Sequence, residues 1–285
     1  MAWHPRLCGE NLHHHIYAWG NDHHPIFKFE YHYQRYLEFL KQFSKKFNID
    51  VIAYALMEWH IHLFIFDRLN KISAFMENLH GEYAKYFNAD TGRVGHVFGE
   101  RFNNKIVQPN NYGLWLSRYI HRQPVEAGIV SNPAYYPWTS YRQYIGLEPI
   151  DFIKPRTILA QFANKANDEK ETAKNYEEFV IGEQECPVDF DASKSQIIGD
   201  LNWEYEQVKK YKLKLASFAN KEELLKKLSD ELNTTAECLL NPKGKKERGL
   251  RHKAIEILLK KYKFKVSQIA RLLKISRMAV FKVLR

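Results

Sequence analysis

The sequence is poor in cysteine and has no long apolar run, and both absences limit the classes of protein it can encode. Its three cysteines, Cys8, Cys186 and Cys238, lie far apart and form no Cys-x-x-Cys pair. Disulfide-stabilised and zinc-ribbon folds are therefore poor interpretations, and a reduced cytoplasm is expected. No apolar stretch approaches the roughly 18 residues of a membrane helix, and no basic and then apolar signal segment opens the chain. We expect a cytoplasmic protein with no membrane partner.

Fingerprints of nucleotide binding are also missing. The glycine-rich stretch from Gly92 to Phe102 has neither the spacing nor the lysine of a Walker A loop, and it does not fit a dinucleotide-binding loop. The composition is that of a folded protein, since 45% of the residues are hydrophobic and 14% are aromatic. A chain of 285 residues is long enough for two or three domains.

Positive charge is concentrated near the end of the chain. The net charge is +10, yet residues 241–285 carry 15 lysines and arginines against 2 acidic residues, whereas the other 240 residues carry 28 against 31. A basic block on a balanced protein indicates an anionic polymer as partner. A solubilising tail is the alternative, but the helical apolar spacing within the block favours a folded module.

Apolar periodicity before this block predicts an α+β fold. Steps of three and four residues indicate helices, and alternation indicates strands. The predicted elements are strand Leu12–Tyr17, helix Phe29–Phe47, strand Asp50–Leu56, a strand from His60, helix Ile72–Phe87, strand Asn104–Val107 and helix Tyr112–His121. The short link before His60 predicts an antiparallel hairpin, and Pro124 is expected to end the last helix at or near Gln123. We expect an antiparallel sheet with helices packed mainly on one face.

Two histidines of the second hairpin strand are candidate metal ligands. Alternation places His60 and His62 on one face, and Ile61, Leu63 and Ile65 on the other, toward a core. The two histidine Cβ atoms would lie about 6.5–7 Å apart, which lets both imidazoles reach one metal ion. The alternative is a pair of half-exposed histidines on a sheet surface.

The first strand carries histidines in the same alternation. His13 and His15 share a face of the predicted strand Leu12–Tyr17. They are either a second metal site or ordinary strand histidines beside a polar site.

Tyr119 and Gln123 are four residues apart on a predicted helix and share one of its faces. If that face lies over His60 and His62, Gln123 offers a carbonyl oxygen as a third ligand beside a phenol. Such a set leaves positions for water or a phosphate oxygen and suits Mg²⁺ or Mn²⁺ as a Lewis acid. A tyrosine beside a metal-polarised phosphodiester can attack phosphorus and keep the bond energy as a phosphotyrosine. The alternatives are a core aromatic and a solvated helix end.

The basic block has the spacing of a three-helix, helix-turn-helix module. The predicted helices are Leu250–Tyr262, Val266–Leu273 and Arg277–Arg285, the last capped by Ser276. The inward-facing residues are Val266, Ile269, Ala270, Leu273, Ile275, Val280 and Leu284. Lys274 stands in the turn where glycine is frequent. A generic three-helix bundle is the alternative.

Short motifs follow one another between about residue 10 and residue 147. In order, they are His15-Ile16-Tyr17 with Gly20-Asn21, Pro25-Ile26-Phe27, Ala53–Leu63, Gly92–Phe98, Gly99–Phe102, Arg118–Val130 and Tyr136–Tyr141. This ordered set resembles the REP-associated tyrosine transposases, relatives of the single-tyrosine HUH transposases. Each motif is weak alone, whereas the ordered set is specific.

The resemblance implies a domain organisation. It implies a HUH transposase domain of ferredoxin-like or RRM-like class over residues 1–148. Composition and apolar spacing then predict a helical connecting region over residues 149–240 and the basic helix-turn-helix module over residues 241–285. The resemblance leaves open whether the protein is a monomer or a dimer, and whether the tyrosine acts within its own chain or across a dimer. The expected location is the cytoplasm, in association with the nucleoid.

The resemblance also implies roles at the candidate site. His60 and His62 match the metal ligands, Gln123 the third ligand and Tyr119 the nucleophile, with Mg²⁺ or Mn²⁺ as cofactor. Many members have asparagine at the position of Gln123, and either amide supplies an oxygen. Members usually have Pro-Asn where this chain has Glu58-Trp59, which affects the shape of the turn and the cleavage-site preference.

The implied substrate is single-stranded DNA cut near a short hairpin. Tyr119 would stay on the 5′ phosphate and leave a 3′-OH, and the reverse attack would rejoin strands without ATP. In the first domain we predict DNA contacts from Arg93, Arg101 and Arg118. In the basic module we predict Arg277 and Met278 nearest the bases of duplex DNA, with further contacts from Arg271, Lys282 and Arg285.

Two other functions fit part of this pattern. A domesticated, catalytically silent protein would keep the fold and bind hairpin DNA as a regulator. A metal-dependent hydrolase would use water in place of Tyr119, but the chain offers no clear carboxylate base for it.

Overall fold

The computed structural model describes residues 7–163, 168–190, 193, 195–210, 221–261, 264 and 266–283. The contacts divide the chain into a sheet unit, Met1–Ala192, and a C-terminal unit, Ser193–Arg285. Each unit buries its own set of apolar side chains.

In the sheet unit, the described residues contribute four strands. They are β1 (Leu12–Trp19), β2 (Ile49–Leu56), β3 (His60–Asp67) and β4 (Asn103–Val107), which lie in the order β2-β3-β1-β4. Each neighbouring pair is antiparallel. Met57 and His60 exchange backbone hydrogen bonds, so that Glu58-Trp59 forms the two-residue turn between β2 and β3. The predicted hairpin is therefore confirmed.

The helices of the sheet unit follow the predicted order. They are α1 (Glu30–Phe47), α2 (Ile72–Thr91), α3 (Asn111–Glu126), α4 (Tyr141–Tyr144), α5 (Arg156–Leu159) and α6 (Glu169–Ile181). The apolar residues at three- and four-residue steps are buried in α1 and α2, among them Tyr36, Leu40, Phe43, Phe75, Leu79 and Tyr83. Asn48 and Gly92 end these two helices in the left-handed conformation, with φ of 55° and 65°. None of the helices in the described ranges is long and apolar enough to cross a membrane.

Strand β3 is buried on both faces. Ile61, Leu63 and Ile65 are fully buried, as predicted for the core-facing side. On the opposite face, His62 is 3% exposed and Phe64 is fully buried. His62 is therefore not a half-exposed surface histidine, and something must cover this face of the sheet.

The prediction that the helix carrying Tyr119 ends at or near Gln123 is wrong. This helix, α3, continues to Glu126 with Pro124 inside it. Proline has no N–H, so one hydrogen bond of the last turn is missing. The turn persists because the carbonyl groups of Gln123 and Pro124 accept hydrogen bonds from the backbone N–H groups of Ala127 and Ile129. Gln123 therefore lies within a regular turn.

The sheet unit extends past residue 148, the predicted end of the first domain, because α6 packs on α3. The Tyr176 hydroxyl lies 2.7 Å from His121 Nδ1 and donates to Ser117 Oγ at 3.0 Å. Tyr176 and Val180 are fully buried. The described residues up to Phe190 accordingly belong to the sheet unit.

The C-terminal unit is mainly helical. Its elements are β5 (Ile197–Ile198), α7 (Leu201–Lys210), α8 (Lys221–Glu231), α9 (Ala236–Leu240), α10 (Lys245–Glu256), a π-helical turn (Ile257–Lys261), α11 (Val266–Leu272) and α12 (Arg277–Phe281). One apolar cluster joins these helices, and its fully buried members include Leu228, Leu239, Leu258, Ile269, Leu273 and Val280. The predicted boundary at residue 240 therefore separates segments that share a core.

The last two helices meet at a turn with an unusual residue. Lys274 has φ of 53°, the left-handed conformation that glycine adopts most easily. Ser276 then caps α12 by accepting a hydrogen bond from the Ala279 N–H, as predicted. Ile269 and Val280 are buried as predicted, whereas Leu284 lies outside the described residues.

Candidate active site

Strand pairing gathers polar and aromatic side chains on one side of the sheet. The pairs are Trp19 with His60, Tyr17 with His62, and His15 with Lys105. Paired residues share a face, and so do alternate residues of one strand. The resulting surface, called here the site face, consists of His15, Tyr17, Trp19, His60, His62 and Lys105.

Helix α3 lies close over the site face because small residues stand at the contact. Ala53 and Ala55 of β2 pair with Phe64 and His62 and are fully buried. On the helix, a Cβ atom at Gly113 would lie 3.2 Å from Cζ of Phe64. Larger side chains at these positions would separate α3 from the strands it contacts.

Tyr119 and Gln123 face the paired histidines. The ring of Tyr119 meets His62 edge-on, with 5.4 Å between ring centroids and an interplanar angle of 88°. One turn later, Gln123 Oε1 lies 3.4 Å from His60 Nε2. The four residues that the sequence singles out are thus together in space.

His15 also belongs to this cluster, contrary to its interpretation as half of a separate metal site. Its Nε2 lies 3.0 Å from Nδ1 of His62, and its ring meets the edge of Tyr119 at 5.7 Å between centroids. The ring of His13 instead stacks on the ring of Phe66, with 4.5 Å between ring centroids. The alternation of histidines in β1 was the available signal, but only strand order and register bring His15 to His62.

Burial keeps His15 and His62 neutral. Loss of solvent lowers the pKa of His62 well below 6.5, and the neighbouring His15, His60 and Lys105 lower it further. Burial likewise lowers the pKa of His15 to about 3, with Lys105 adding to the effect. Neutral imidazoles keep a lone pair for a metal ion at neutral pH.

The donor atoms fit a hard divalent ion. Two ligands of an octahedral ion, each at about 2.1 Å, lie about 3 Å apart. His60 Nε2 and Gln123 Oε1 are separated by 3.4 Å, which is close to that distance. Among the described residues, no group of three His, Cys, Asp or Glu side chains is placed to hold a metal alone. The candidate set consists of two imidazoles and one amide oxygen.

Two residues near Tyr119, Lys105 and Phe190, were not predicted from the sequence to belong to the site. Lys105 is 4% exposed, and its ammonium group donates to the carbonyl of Phe190. The Phe190 ring packs against Tyr119 at 5.2 Å between centroids. No local pattern predicts this contact, because Phe190 follows Tyr119 by more than 70 residues in the sequence.

The three arginines predicted to contact DNA from the sheet unit have different environments. Arg118 is 7% exposed and donates to the carbonyls of Phe179 and Gly182, so its guanidinium group holds α6 to α3 instead of facing solvent. This placement corrects its assignment as a DNA contact. Arg101 is exposed and Arg93 is half-buried, in the glycine-rich loop beside the end of β1.

In the C-terminal unit, the predicted DNA-contacting residues that can be placed are on the surface. Arg277, Met278 and Lys282 are exposed at α12. The side chain of Arg271 and the whole of Arg285 lie outside the described residues. The structure thus leaves three of these five side chains open to a partner.

Comparison with known proteins finds a family model that matches part of the chain. The family model described as "Transposase IS200 like" matches residues 8–123, and no curated protein matches the chain. Among solved structures, the chain is similar to a REP-associated tyrosine transposase bound to a REP hairpin, with 16% identity, a TM-score of 0.45, and coverage of 54% of this chain and 92% of that one. It is also similar to a candidate transposase from Deinococcus radiodurans R1, with 16% identity, a TM-score of 0.31, and coverage of 43% and 98%.

The matched residues contain β1, β2, β3 and most of α3, and so hold His60, His62, Tyr119 and Gln123. The match ends at Gln123, the last residue of the candidate site. Residues 8–123 of the chain are thus similar to the IS200-like transposases over the segment that contains the candidate site.

Proposed function

We propose that this protein is a DNA strand transferase that cuts and rejoins single-stranded DNA near a hairpin through Tyr119. One observation carries the proposal: Tyr119 and Gln123, one turn apart on α3, face His62 and His60. A family of IS200-like transposases is one that cleaves and transfers DNA, which agrees with this chemistry.

The reaction conserves the number of phosphoester bonds. The Tyr119 oxygen attacks phosphorus and loses its proton to solvent, while the bond from phosphorus to the 3′ oxygen breaks. The departing strand takes a proton as its 3′-OH forms, and Tyr119 keeps the 5′ phosphate. Attack by a 3′-OH on this phosphotyrosine reverses the step and releases Tyr119, so no ATP is required.

His60, His62 and Gln123 would hold Mg²⁺ or Mn²⁺. When bound, the ion supplies Lewis-acid polarisation of a phosphate oxygen. The chain itself orients the reacting groups: α3 fixes Tyr119 over His62, and His15 fixes the His62 ring from β1. Burial of this cluster removes water that would compete with Tyr119 for phosphorus.

The C-terminal unit would add affinity for duplex DNA. Its last two helices, α11 and α12, have the order and the intervening turn of a helix-turn-helix, and exposed Arg277 and Lys282 stand on or directly after the second of them. We assign Arg277 and Met278 to base edges and Lys282 to a phosphate.

The test is a covalent adduct. Labelled hairpin oligonucleotides are incubated with the full chain and Mn²⁺, and DNA-bound protein is detected in a denaturing gel. An adduct is expected with the parent chain and none with Tyr119→Phe. The matched control is Tyr112→Phe, which removes a hydroxyl at the other end of α3 and should leave the adduct yield unchanged.

Three results would separate the alternatives. An adduct that persists in Tyr119→Phe removes Tyr119 as nucleophile. Steady nicking without a protein–DNA bond indicates hydrolysis by water. Tight hairpin binding with neither nicking nor adduct, across all hairpins that bind, indicates a silent DNA-binding protein.

A further inference from the structure

We propose that Trp19 is a stacking platform for an unpaired base of the DNA strand, next to the phosphate that Tyr119 attacks. The proposal rests on the proposed function and names the part of the substrate that this surface recognises. Its ligand is a nucleobase in single-stranded DNA, recognised through its π-face.

The site face opens to solvent in the direction of Trp19. Along β1, His15 is 1% exposed, Tyr17 is half-buried and Trp19 is 49% exposed. Trp19 pairs with His60 across the sheet, so it is the neighbour of the candidate metal ligand on the open side. A strand whose phosphate lies at His60 and Tyr119 therefore meets the Trp19 ring as it leaves the site.

The Trp19 ring is exposed although its backbone is held firmly. The Gly99 N–H donates to the Trp19 carbonyl at 3.1 Å, and the next residue, Gly20, donates to the Trp59 carbonyl at 2.8 Å. The Tyr17 ring supports Trp19 edge-on at 5.1 Å between centroids. A large ring on a fixed backbone loses little conformational entropy when a base stacks on it.

The loop that borders the platform carries two arginines, Arg93 and Arg101, and one exposed acidic residue, Glu100. The glycine-rich loop approaches β1 so closely that a Cβ atom at Gly99 would lie 3.3 Å from Cα of Asn21. Arg101 follows Gly99 by two residues and is exposed. Proteins that bind single strands combine aromatic platforms for bases with cations for the backbone. A single exposed tryptophan is ordinary on a protein surface, whereas one paired with His60 and bordered by a loop with the exposed Arg101 indicates a strand path.

Binding of single-stranded DNA tests the platform. Affinity is measured by fluorescence anisotropy in the Tyr119→Phe background, which prevents cleavage. The probe is the hairpin oligonucleotide with unpaired flanks that gives the most adduct with the parent chain, or the tightest-binding hairpin if no adduct forms. A second series of the same probe has each unpaired nucleotide made abasic in turn. Tyr135→Ala is the control, because Tyr135 is 71% exposed and lies outside the site face.

We expect Trp19→Ala to weaken binding of the intact probe by about 5- to 150-fold, the range for loss of one stacked base. For the probe that lacks the stacked base, the affinity of the parent chain should fall by a similar factor, and Trp19→Ala should then cause no further loss. Trp19→Phe should keep most of the affinity for the intact probe. The proposal is overturned by a loss below about fivefold, or by an equal loss on every abasic probe. Absence of a Tyr119 adduct would contradict the proposed function. The dependence of the Trp19→Ala effect on the abasic position could still be measured.

Discussion

Nε2 of His15 lies 3.0 Å from Nδ1 of His62 in the buried layer beneath Tyr119. A neutral imidazole carries one proton, so His62 can offer Nε2 to a metal only if its Nδ1–H donates to His15. His15 must then carry its own proton on Nδ1, an atom with no hydrogen-bond partner in the part of the chain that the structure describes. If His62 binds a metal through Nε2, β1 thus supplies the acceptor that holds this candidate ligand of β3 in the required tautomer.

Replacing His15 should weaken metal binding without touching a ligand. We expect His15→Phe to lower Mn²⁺ affinity by about 10- to 100-fold, as loss of a partner that orients a ligand usually does. The measurement is titration calorimetry with Mn²⁺ alone. His13→Phe is the matched control, since His13 lies on the same strand face but stacks on Phe66. Equal Mn²⁺ affinities in the two variants would show that His62 keeps its tautomer without His15.

Acid should destabilise the sheet unit through His14. Its side chain is fully buried, and burial lowers its pKa to about 3, below the value of 6.5 in the unfolded chain. Between these values the unfolded state binds a proton that the folded state does not, so stability rises with pH and falls on acidification. From neutral pH to pH 5, this histidine alone should cost about 2 kcal/mol.

Urea unfolding at pH 7 and pH 5 checks this prediction. The loss of unfolding free energy on acidification should be about 2 kcal/mol smaller in His14→Leu than in the parent chain. His24→Leu changes an exposed histidine and should leave the loss unchanged. An identical acid response of His14→Leu and parent would contradict the assigned burial effect.

Lys274 is a site where a single substitution should stabilise the C-terminal unit. Its left-handed φ of 53° strains a residue with a Cβ atom. Lys274→Gly should therefore raise the free energy of unfolding by about 0.5–1 kcal/mol, measured by thermal or urea unfolding. Lys274→Ala keeps the Cβ atom and should give no gain. A gain from alanine equal to that from glycine would assign the effect to charge.

Duplex binding should depend on the surface of α12. Lys282→Ala should reduce the slope of log affinity against log salt by about 0.9, the value for one lost phosphate contact. Fluorescence anisotropy with a duplex between 50 and 200 mM salt measures the slope. Lys226→Ala, an exposed lysine of α8 in the same unit, is the control. An unchanged slope in Lys282→Ala would exclude the phosphate contact.

Point substitutions are preferable to removal of residues 241–285 for this test. Leu258, Ile269 and Val280 share one apolar cluster with Leu228 and Leu239. A deletion would expose the remaining half of that core, and lost affinity would then report unfolding.

The sharing of a face by each pair of candidate residues could be predicted because the signals are short-range. Alternation in β3 and a four-residue step on α3 each place two functional groups on one face. The hairpin was predictable for the same reason, since only Glu58-Trp59 separates its strands. Such patterns depend on local geometry, which the chain order preserves.

The environment of the site was not predictable, because it depends on contacts distant in sequence. From the sequence, Arg118 is expected to be a surface cation, but its guanidinium group donates to the carbonyls of Phe179 and Gly182 at the end of α6. Lys105 is expected to be an ordinary strand lysine, but it is buried and donates to the carbonyl of Phe190. Pro124 reads as a helix end until Ala127 closes the turn.

Ala53 and Ala55 carry no reactive group, yet they limit how far α3 lies from β3. The distance between the proposed nucleophile and the proposed metal ligands thus depends on side-chain volume in β2. A valine at either position would move Tyr119 and Gln123 together away from His60 and His62. The sequence would still contain every reactive side chain. A comparison of active-site residues alone would not detect inactivation of this kind. The residues of β2 must therefore be compared before any relative is judged catalytically competent.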